Sequence, residues 1–320
     1  MKAAILINEL PENALPDELD VLEQVALAEN TLHSLGYKTK RFFLGWNIEK
    51  TKKELQSYKP DVAMNLFEGI KGSPELIYLG AGLLHSLRIP YIGCGYDSIF
   101  ITANKVLTKK ILAANHIHTA PWFEPAEAKN LNKDKRYIVK PMFEDASVGI
   151  SSKSVIKGYS KKVIQEYLQK YNHNFYIEEY IDGREFNISV IYTDKGPKML
   201  APAEMTFTDY PEDKPKILDY AAKWDENTFE YHHTSRTFDV STKDKTLIKK
   251  MEAIVLKCWT VFNLHGYARV DFRVDKQGHP FVLEINANPC ISEGSGLYAA
   301  LIQSGYTFER AMNYFLKDLN

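Results

Sequence analysis

The stretch ARVDFRVDKQGHPFVLEINANPC, residues 268–290, decides the fold. Two runs of β-formers flank KQGH, the pattern of a β-hairpin. With a four-residue connection from Lys276 to His279, Asp275 faces Pro280, Asp271 faces Glu284 and Arg269 faces Asn286. Side chains alternate along a strand. One face then carries Val270, Phe272, Val274, Phe281, Leu283 and Ile285, and belongs in a core. The other carries Arg269, Asp271, Glu284 and Asn286. That second face is open to two readings, a solvated surface or a site. Carboxylates directly opposite each other destabilise a strand pair by ~0.2–1 kcal/mol. A divalent cation reverses the sign. Mg²⁺ takes hard oxygens, usually one or two carboxylates together with substrate phosphates. Arg269 could neutralise charge that develops in a reaction. The chemistry of this face points to a magnesium–phosphate site.

The rest of the chain sets the frame. Its 320 residues suggest two or three domains. Hydrophobic residues at 45% and charged residues at 25% fit a globular protein. A net charge of −1 argues against nucleic-acid binding through a basic surface. No apolar run approaches the ~18 residues of a membrane span. The opening MKAAILINELPENALPDELD lacks the parts of a signal peptide. Cys94, Cys258 and Cys290 fit no zinc or redox spacing. A reducing cytoplasm is the expected location.

The first hundred residues alternate strand and helix, which implies a parallel sheet covered on both faces. Ala3–Ile7 starts the set. A helix follows with Leu19, Leu22, Val25, Ala26, Leu32 and Leu35 as its apolar positions and Gly36 as its C-cap. No G-x-G-x-x-G follows the first strand, and GCGYDS at 93–98 fails the spacing, which disfavours a dinucleotide site. One helix is expected over Thr102–Asn115, carrying Lys105, Lys109 and Lys110. Strands Phe175–Tyr180 and Glu185–Tyr192 read as a hairpin joined across Asp182-Gly183. Residues 204–241 read as a long loop, of the kind that is usually functional or disordered. His232-His233 is a poor metal pair, since neighbours in extended chain point apart.

GYARVDFRVDKQGHPFVLEINANPC resembles the signature of D-alanine–D-alanine ligases in the ATP-grasp superfamily. IPYIGCGYDSIFITANKVLTKKILAANHIHTAPWF is similar to the passage from their first domain to their second. YIVKPMFEDASVGIS resembles their phosphate loop, YIEEYIDGREFNISV their adenine hinge, and ILDYAAKW part of their mobile ω loop. The resemblance implies an α/β (α+β) ATP-grasp fold in three parts: a Rossmann-like N-terminal domain (1–98), a central subdomain (99–180) and a C-terminal subdomain (181–320). It implies a carboxylate–amine ligase for amino-acid-like substrates: ATP phosphorylates a carboxylate, an amine attacks the acyl phosphate, and ADP and phosphate leave. By position, Asp271, Glu284 and Asn286 would hold two Mg²⁺ ions, with Mn²⁺ as the alternative. Arg269 would stabilise the tetrahedral intermediate. Lys105 and Lys140 would contact phosphates beneath a loop containing Ser147, and Lys223 would reach the transferred phosphate. Glu178, with the backbone of Glu179, Tyr180 and Ile181, would take the adenine, and Glu185 the ribose. A homodimer is a family expectation.

Departures from the family pattern cluster at substrate recognition. The family's Gly-Gly-x-Ser-x-Glu loop is replaced by ILINELPENALPDELD, which leaves Glu9, Glu12, Glu18 or Glu23 as alternative ammonium contacts. Leu66-Phe67-Glu68-Gly69 stands where Leu-His-Gly is usual, making Glu68 another candidate. EDASVG replaces a Gly-Ser-Ser run, Trp224 a tyrosine and Cys290 a glycine. Ser295 retains a contact to the second substrate in this reading. These changes favour a ligase with an altered pocket over strict D-alanyl-D-alanine synthesis. A true D-alanine–D-alanine ligase and a non-catalytic nucleotide-binding protein are the alternatives.

Overall fold

A computed structural model describes residues 1–10, 14, 16–70, 73–240 and 244–320. The chain opens with β1 (Lys2–Asn8), α1 (Pro16–Ser34), β2 (Lys38–Leu44), α2 (Ile48–Tyr58), β3 (Val62–Asn65), α3 (Tyr78–Ser86) and β4 (Tyr91–Ile92). Its four strands form a parallel sheet in the order β2-β1-β3-β4. Ala3 to Ile7 are fully buried, as expected of a central parallel strand covered on both faces. The buried face of α1 is Val21, Val25, Ala28 and Leu32. Leu19 and Leu22 were expected on that face, but they are 46% and 41% exposed. The helical period is right and its phase is shifted: contact with the sheet selects the 21-25-28-32 stripe.

Next come α4 (Tyr96–Ala103) and α5 (Lys105–Ala114), where one helix was expected. Asn104 leaves helical geometry at φ −92°, ψ 98°, and its side chain caps the Leu107 N–H. β5 (Trp122–Phe123), β6 (Arg136–Pro141), β7 (Val155–Lys157), α6 (Lys161–Tyr171) and β8 (Phe175–Glu179) build an antiparallel sheet of order β5-β8-β6-β7.

β9 (Gly183–Thr193), β10 (Gly196–Met199), β11 (Ala203–Phe207), α7 (Tyr220–Trp224), α8 (Phe229–His233), β12 (Thr234–Thr237), α9 (Lys245–Val261), β13 (Tyr267–Asp275) and β14 (Pro280–Asn286) follow. They include a six-stranded sheet, β12-β11-β9-β13-β14, with β10 added on β9. The expected hairpin across Asp182-Gly183 does not form, because β8 and β9 belong to different sheets. Gly183 serves close approach instead. A Cβ there would lie 1.9 Å from the Val274 carbonyl oxygen on β13. Residues 204–241, expected as a loop, include the β11–β12 pair and two short helices. His232 and His233 lie in α8 rather than in extended chain.

α10 (Gly296–Gln303) and α11 (Phe308–Phe315) return to the first sheet. Leu297, Leu301, Met312 and Phe315 share a core with Ala3, Ile5, Val25 and Met64. The Asn320 backbone closes on Tyr91, with N···O distances of 3.1 and 3.3 Å. This return places the segment after β14 against the first sheet, so the acid-bearing hairpin looks into the seam between them.

Candidate active site

The hairpin keeps its face by a device that pattern reading misses. Its turn is one residue shorter than expected: the Asp275 N–H donates to His279 O at 3.1 Å. Phe272 therefore pairs with Val282, and Arg273 with Phe281. Continued unbroken, that register would turn Glu284 into the core. A bulge at Leu283 restores the pairs Asp271–Glu284 and Arg269–Asn286. The core face is thus Val270, Phe272, Val274, Val282 and Ile285, all buried. Phe281 and Leu283, expected there, are only half-buried. On the other side of β13, Asn187 pairs with Asp271 and Glu185 with Arg273. Three adjacent strands thus present one polar face.

Cations surround its acids. Arg269 grips Asp271 with two hydrogen bonds, 2.7 and 2.8 Å. Glu284 lies 3.7 Å from Lys105 and 4.0 Å from Arg269. Burial opposes the charge on Glu284, but Lys105, Arg269, Lys140 and Lys223 outweigh it and hold its carboxyl at about 2. Lys223 has the opposite balance. Desolvation, then the nearby Arg269 charge, lowers its ammonium, and among the described residues it forms no ion pair. The Asn286 Oδ1 accepts from the Asn288 N–H at 2.9 Å. Two facing carboxylates and an amide oxygen suit a hard divalent ion. Among the described residues no group of three His, Cys, Asp or Glu forms a metal cage. An ion here would share its coordination with substrate oxygens, as Mg²⁺ commonly does.

The loop between β6 and β7 folds toward this face. Lys105, only 5% exposed, donates to Glu144 O at 2.7 Å and to Asp145 Oδ1 at 3.0 Å. Ala146 and Ser147 have φ of 53° and 64°, left-handed geometry at two consecutive non-glycine residues. The segment running into α7 fastens them. Ser147 Oγ donates to Leu218 O at 2.7 Å, and Trp224 Nε1 donates to Ala146 O at 3.1 Å. The loop, the segment running into α7 and the hairpin line a cavity of about 1030 Å³ that reaches Glu9, Glu18, Asp20, Glu23 and Glu68 on the first sheet's side.

The residues expected at the nucleobase gather outside that cavity. Glu178 is 1% exposed and held between Lys109 at 2.6 Å and Lys140 at 2.5 Å. Desolvation opposes its charge, but these two lysines keep its carboxyl below the usual range. Its Oε2 has no well-directed hydrogen-bond donor. The Glu179 side chain turns away to Lys135 at 2.8 Å. Arg273, 3% exposed, ties the region together, donating to Ile181 O, Glu185, the Tyr180 hydroxyl and Lys216 O at 2.7–3.2 Å. Burial raises the Glu185 carboxyl even so. Ile217 packs on Ile138 and Tyr180.

At the substrate end, the Cys290 thiol donates to Asp20 Oδ2 at 2.8 Å. Burial, then Asp20, pushes it far above the ordinary thiol range, which disfavours the thiolate that a nucleophile needs. Its φ is not left-handed, so the backbone does not require the family's glycine. Gln24 Nε2 donates to Glu68 at 3.0 Å, and Gln24 Oε1 accepts from the Ile291 N–H at 3.3 Å. Ser295 caps α10, its Oγ accepting from the Tyr298 N–H at 3.2 Å. Glu12 lies outside the described residues.

Sequence reading passed over Asn187, Arg273, Lys109, Asp20, Gln24 and Arg236. Two signals were available. Arg273 continues the 269-271 alternation, and Lys109 stands one helical turn after Lys105. The others reach the site through packing of distant segments.

The comparisons with known proteins agree with this geometry. A family model described as D-ala D-ala ligase C-terminus matches residues 122–317, more than half of the chain. A D-alanine–D-alanine ligase from Rickettsia akari is 28% identical over 293 residues, covering 90% of this chain and 84% of the relative. One from Aquifex aeolicus is 27% identical, covering 82% and 84%. Among solved structures, the D-alanine–D-alanine ligase of Bacillus anthracis superposes with a TM-score of 0.74 at 22% identity, covering 99% of this chain and 96% of that one. The VanG D-Ala:D-Ser ligase of Enterococcus faecalis gives 0.69 at 15% identity, covering 99% and 98%. The fold and site define an ATP-grasp enzyme, an ATP-dependent ligase that forms C–N bonds. The chain belongs to the D-alanine–D-alanine ligase-like family. Among the described residues, no helix is long and apolar enough to cross a membrane.

Proposed function

We propose that this protein is a D-alanine–D-alanine ligase, joining two D-alanine molecules through an acyl phosphate. The observation that carries the chemistry is the Asp271–Glu284–Asn286 face with Arg269 and Lys105 against its acids; Glu284, Asn286, Arg269 and Lys223 line one cavity. Relatives named for that reaction, aligned along most of the chain, support the choice of substrate. That support weighs against the expectation that the altered pocket excludes strict D-alanyl-D-alanine synthesis.

In this reading Asp271, Glu284 and Asn286 would hold magnesium, two ions being the family expectation. Magnesium, when bound, screens phosphate charge and favours in-line transfer. Lys105, Lys140 and Lys223 orient the phosphates, since an ammonium is a compact, mobile donor. Arg269 faces the carbon under attack and stabilises its developing oxyanion. Glu178 accepts from the exocyclic amine of adenine, and Glu185 from the ribose hydroxyls. The lid segment carrying Ile217 lifts to admit the base and closes again, keeping water from the acyl phosphate. The units 1–98, 99–180 and 181–320 move against one another in this cycle.

A second reading, a ligase for another amino-acid pair, is favoured by one feature. Glu9, Asp20, Glu23 and Glu68 line the substrate end, along with the Cys290–Asp20 contact. Phosphate release with MgATP and D-alanine alone, beside paired D- and L-amino acids, separates the two. D-alanine alone should drive turnover, and Asp271→Asn should abolish it. Release only with another pair would replace the first reading by the second. No release with any pair would remove both.

A further inference from the structure

Arg236 on β12 is an arginine of the cavity wall that the reaction scheme leaves unused. Its one side-chain hydrogen bond among the described residues runs from Nη1 to Ser295 O, at 3.3 Å. Among the described residues it forms no ion pair, whereas Arg269 and Arg273 each hold a carboxylate. Its neighbourhood is cationic. Desolvation, then the Arg269 charge, lowers its guanidinium. Arg269 is already matched by Asp271, whereas Arg236 brings a charge with no carboxylate partner to the same cavity, so an anion bound beside it is stabilised. Ser295 adds a matching donor. Its oxygen already accepts from the Tyr298 N–H, and its own hydroxyl proton has no acceptor among the described residues. The anchored Nη1 leaves the guanidinium's other N–H groups available. A guanidinium edge and a hydroxyl suit a carboxylate. Glu9, Asp20, Glu23 and Glu68 line the same cavity, so groups that suit an ammonium and a carboxylate are both present in it.

We propose that Arg236 is a further specificity-determining residue at the second-substrate contact already expected of Ser295, receiving the free carboxylate of the amine-donating substrate. This deepens the ligase reading and rests on it. The enzyme then takes α-amino acids as nucleophiles and discriminates against their amides. Arg269 is left to the reacting carbon. The guanidinium would hold the carboxylate and so aim the amine at the acyl phosphate.

The test is a competition. The full chain, with MgATP, receives equimolar D-alanine and D-alaninamide, and the ratio of dipeptide to dipeptide amide is read by mass spectrometry. Wild type should favour the acid. Arg236→Met should lower that ratio by about tenfold or more, which corresponds to ~1.4 kcal/mol. Arg236→Lys should recover part of it, and KM for ATP should stay within about twofold in both. Comparing ratios between proteins cancels the difference in basicity of the two amines. An unchanged ratio in Arg236→Met, with a wild-type circular dichroism spectrum, overturns the proposal. If Arg236→Met does not fold, Arg236→Gln takes its place, and a wild-type ratio there overturns the proposal as well. If D-alanine is not turned over, D-alanine as substrate fails. The same acid–amide pair is then run with each amino acid that does release phosphate, and a ratio insensitive to Arg236 in all of them sinks the receptor. Absence of release with every amino acid removes both readings.

Discussion

Replacing Asp145 by asparagine tests whether the unusual phosphate loop competes with its own nucleotide. Asp145 lies 3.0 Å from Lys105, and Glu284 lies 3.7 Å from the same ammonium. Phosphate oxygens seeking Lys105 must therefore displace a carboxylate or share the lysine with it. Lys105 is 5% exposed but Asp145 is 43% exposed, so solvent screens the pair. Its worth is that of a surface pair, about 0.5–1 kcal/mol. Asparagine keeps a hydrogen-bonding oxygen and removes the charge. If the competition is real, MgATP should bind Asp145→Asn about two- to fivefold more tightly, from the same energy and ~1.4 kcal/mol per decade. The gain should shrink in high salt as screening weakens the wild-type pair. Calorimetric titration with MgATP gives the affinity, and phosphate release gives KM in parallel. Weaker binding by the variant would refute this reasoning, because the acid would then contribute to holding the nucleotide or its metal.

Two further predictions concern stability and pH. Lys109 and Glu178 form a nearly solvent-free pair at 2.6 Å, so Lys109→Met should destabilise the protein strongly. Lys140 still partners Glu178, which puts the cost near the low end of ~3–5 kcal/mol. Urea unfolding measures it, and a loss below about 1 kcal/mol would contradict the burial assigned to the pair. His265 is raised above 6.5, chiefly by its hydrogen bond to Asp318 at 3.2 Å. A raised folded-state value stabilises fully below the unfolded value, and that contribution disappears as pH rises through the folded one. The melting difference between wild type and Asp318→Asn should therefore be larger at pH 6 than at pH 9. Asp318 also accepts from the Gly266 N–H at 2.8 Å, so a pH-independent loss remains beneath it. A flat difference across that range would remove the imidazolium from the account.

Some of the molecule was legible because it is local. The apolar run Ala3–Ile7 and the alternation 269-271 and 284-286 are written in neighbouring residues. The elements that failed are those decided by distant ones. Asp182-Gly183 has the chemistry of a tight turn, yet Gly183 is needed where β9 meets the Val274 carbonyl. The stripe of α1 has a readable period, but the sheet beneath it sets the phase. The facing of Asp271 and Glu284 was anticipated through the wrong turn length, and the bulge at Leu283 compensates. A bulge adds one residue to one strand and leaves little trace in composition.

The sequence by itself determined the reaction chemistry. Two acids, an amide and an arginine at alternating positions of a hairpin can share a face under only a few registers, and the order of motifs along the chain names the family. Only the tertiary structure decided which charges meet. Lys109 and Lys140 converge on Glu178, Arg273 on Glu185, and Asp20 on Cys290, each from segments far apart in the chain. The physical reason is range. Backbone periodicity is set by neighbours a few residues apart, whereas a buried charge depends on every segment that removes its water. Arg236 shows the difference. In sequence it is one polar residue in the run YHHTSRT, residues 231–237; in the fold it stands in a cavity wall beside Ser295 and a second arginine.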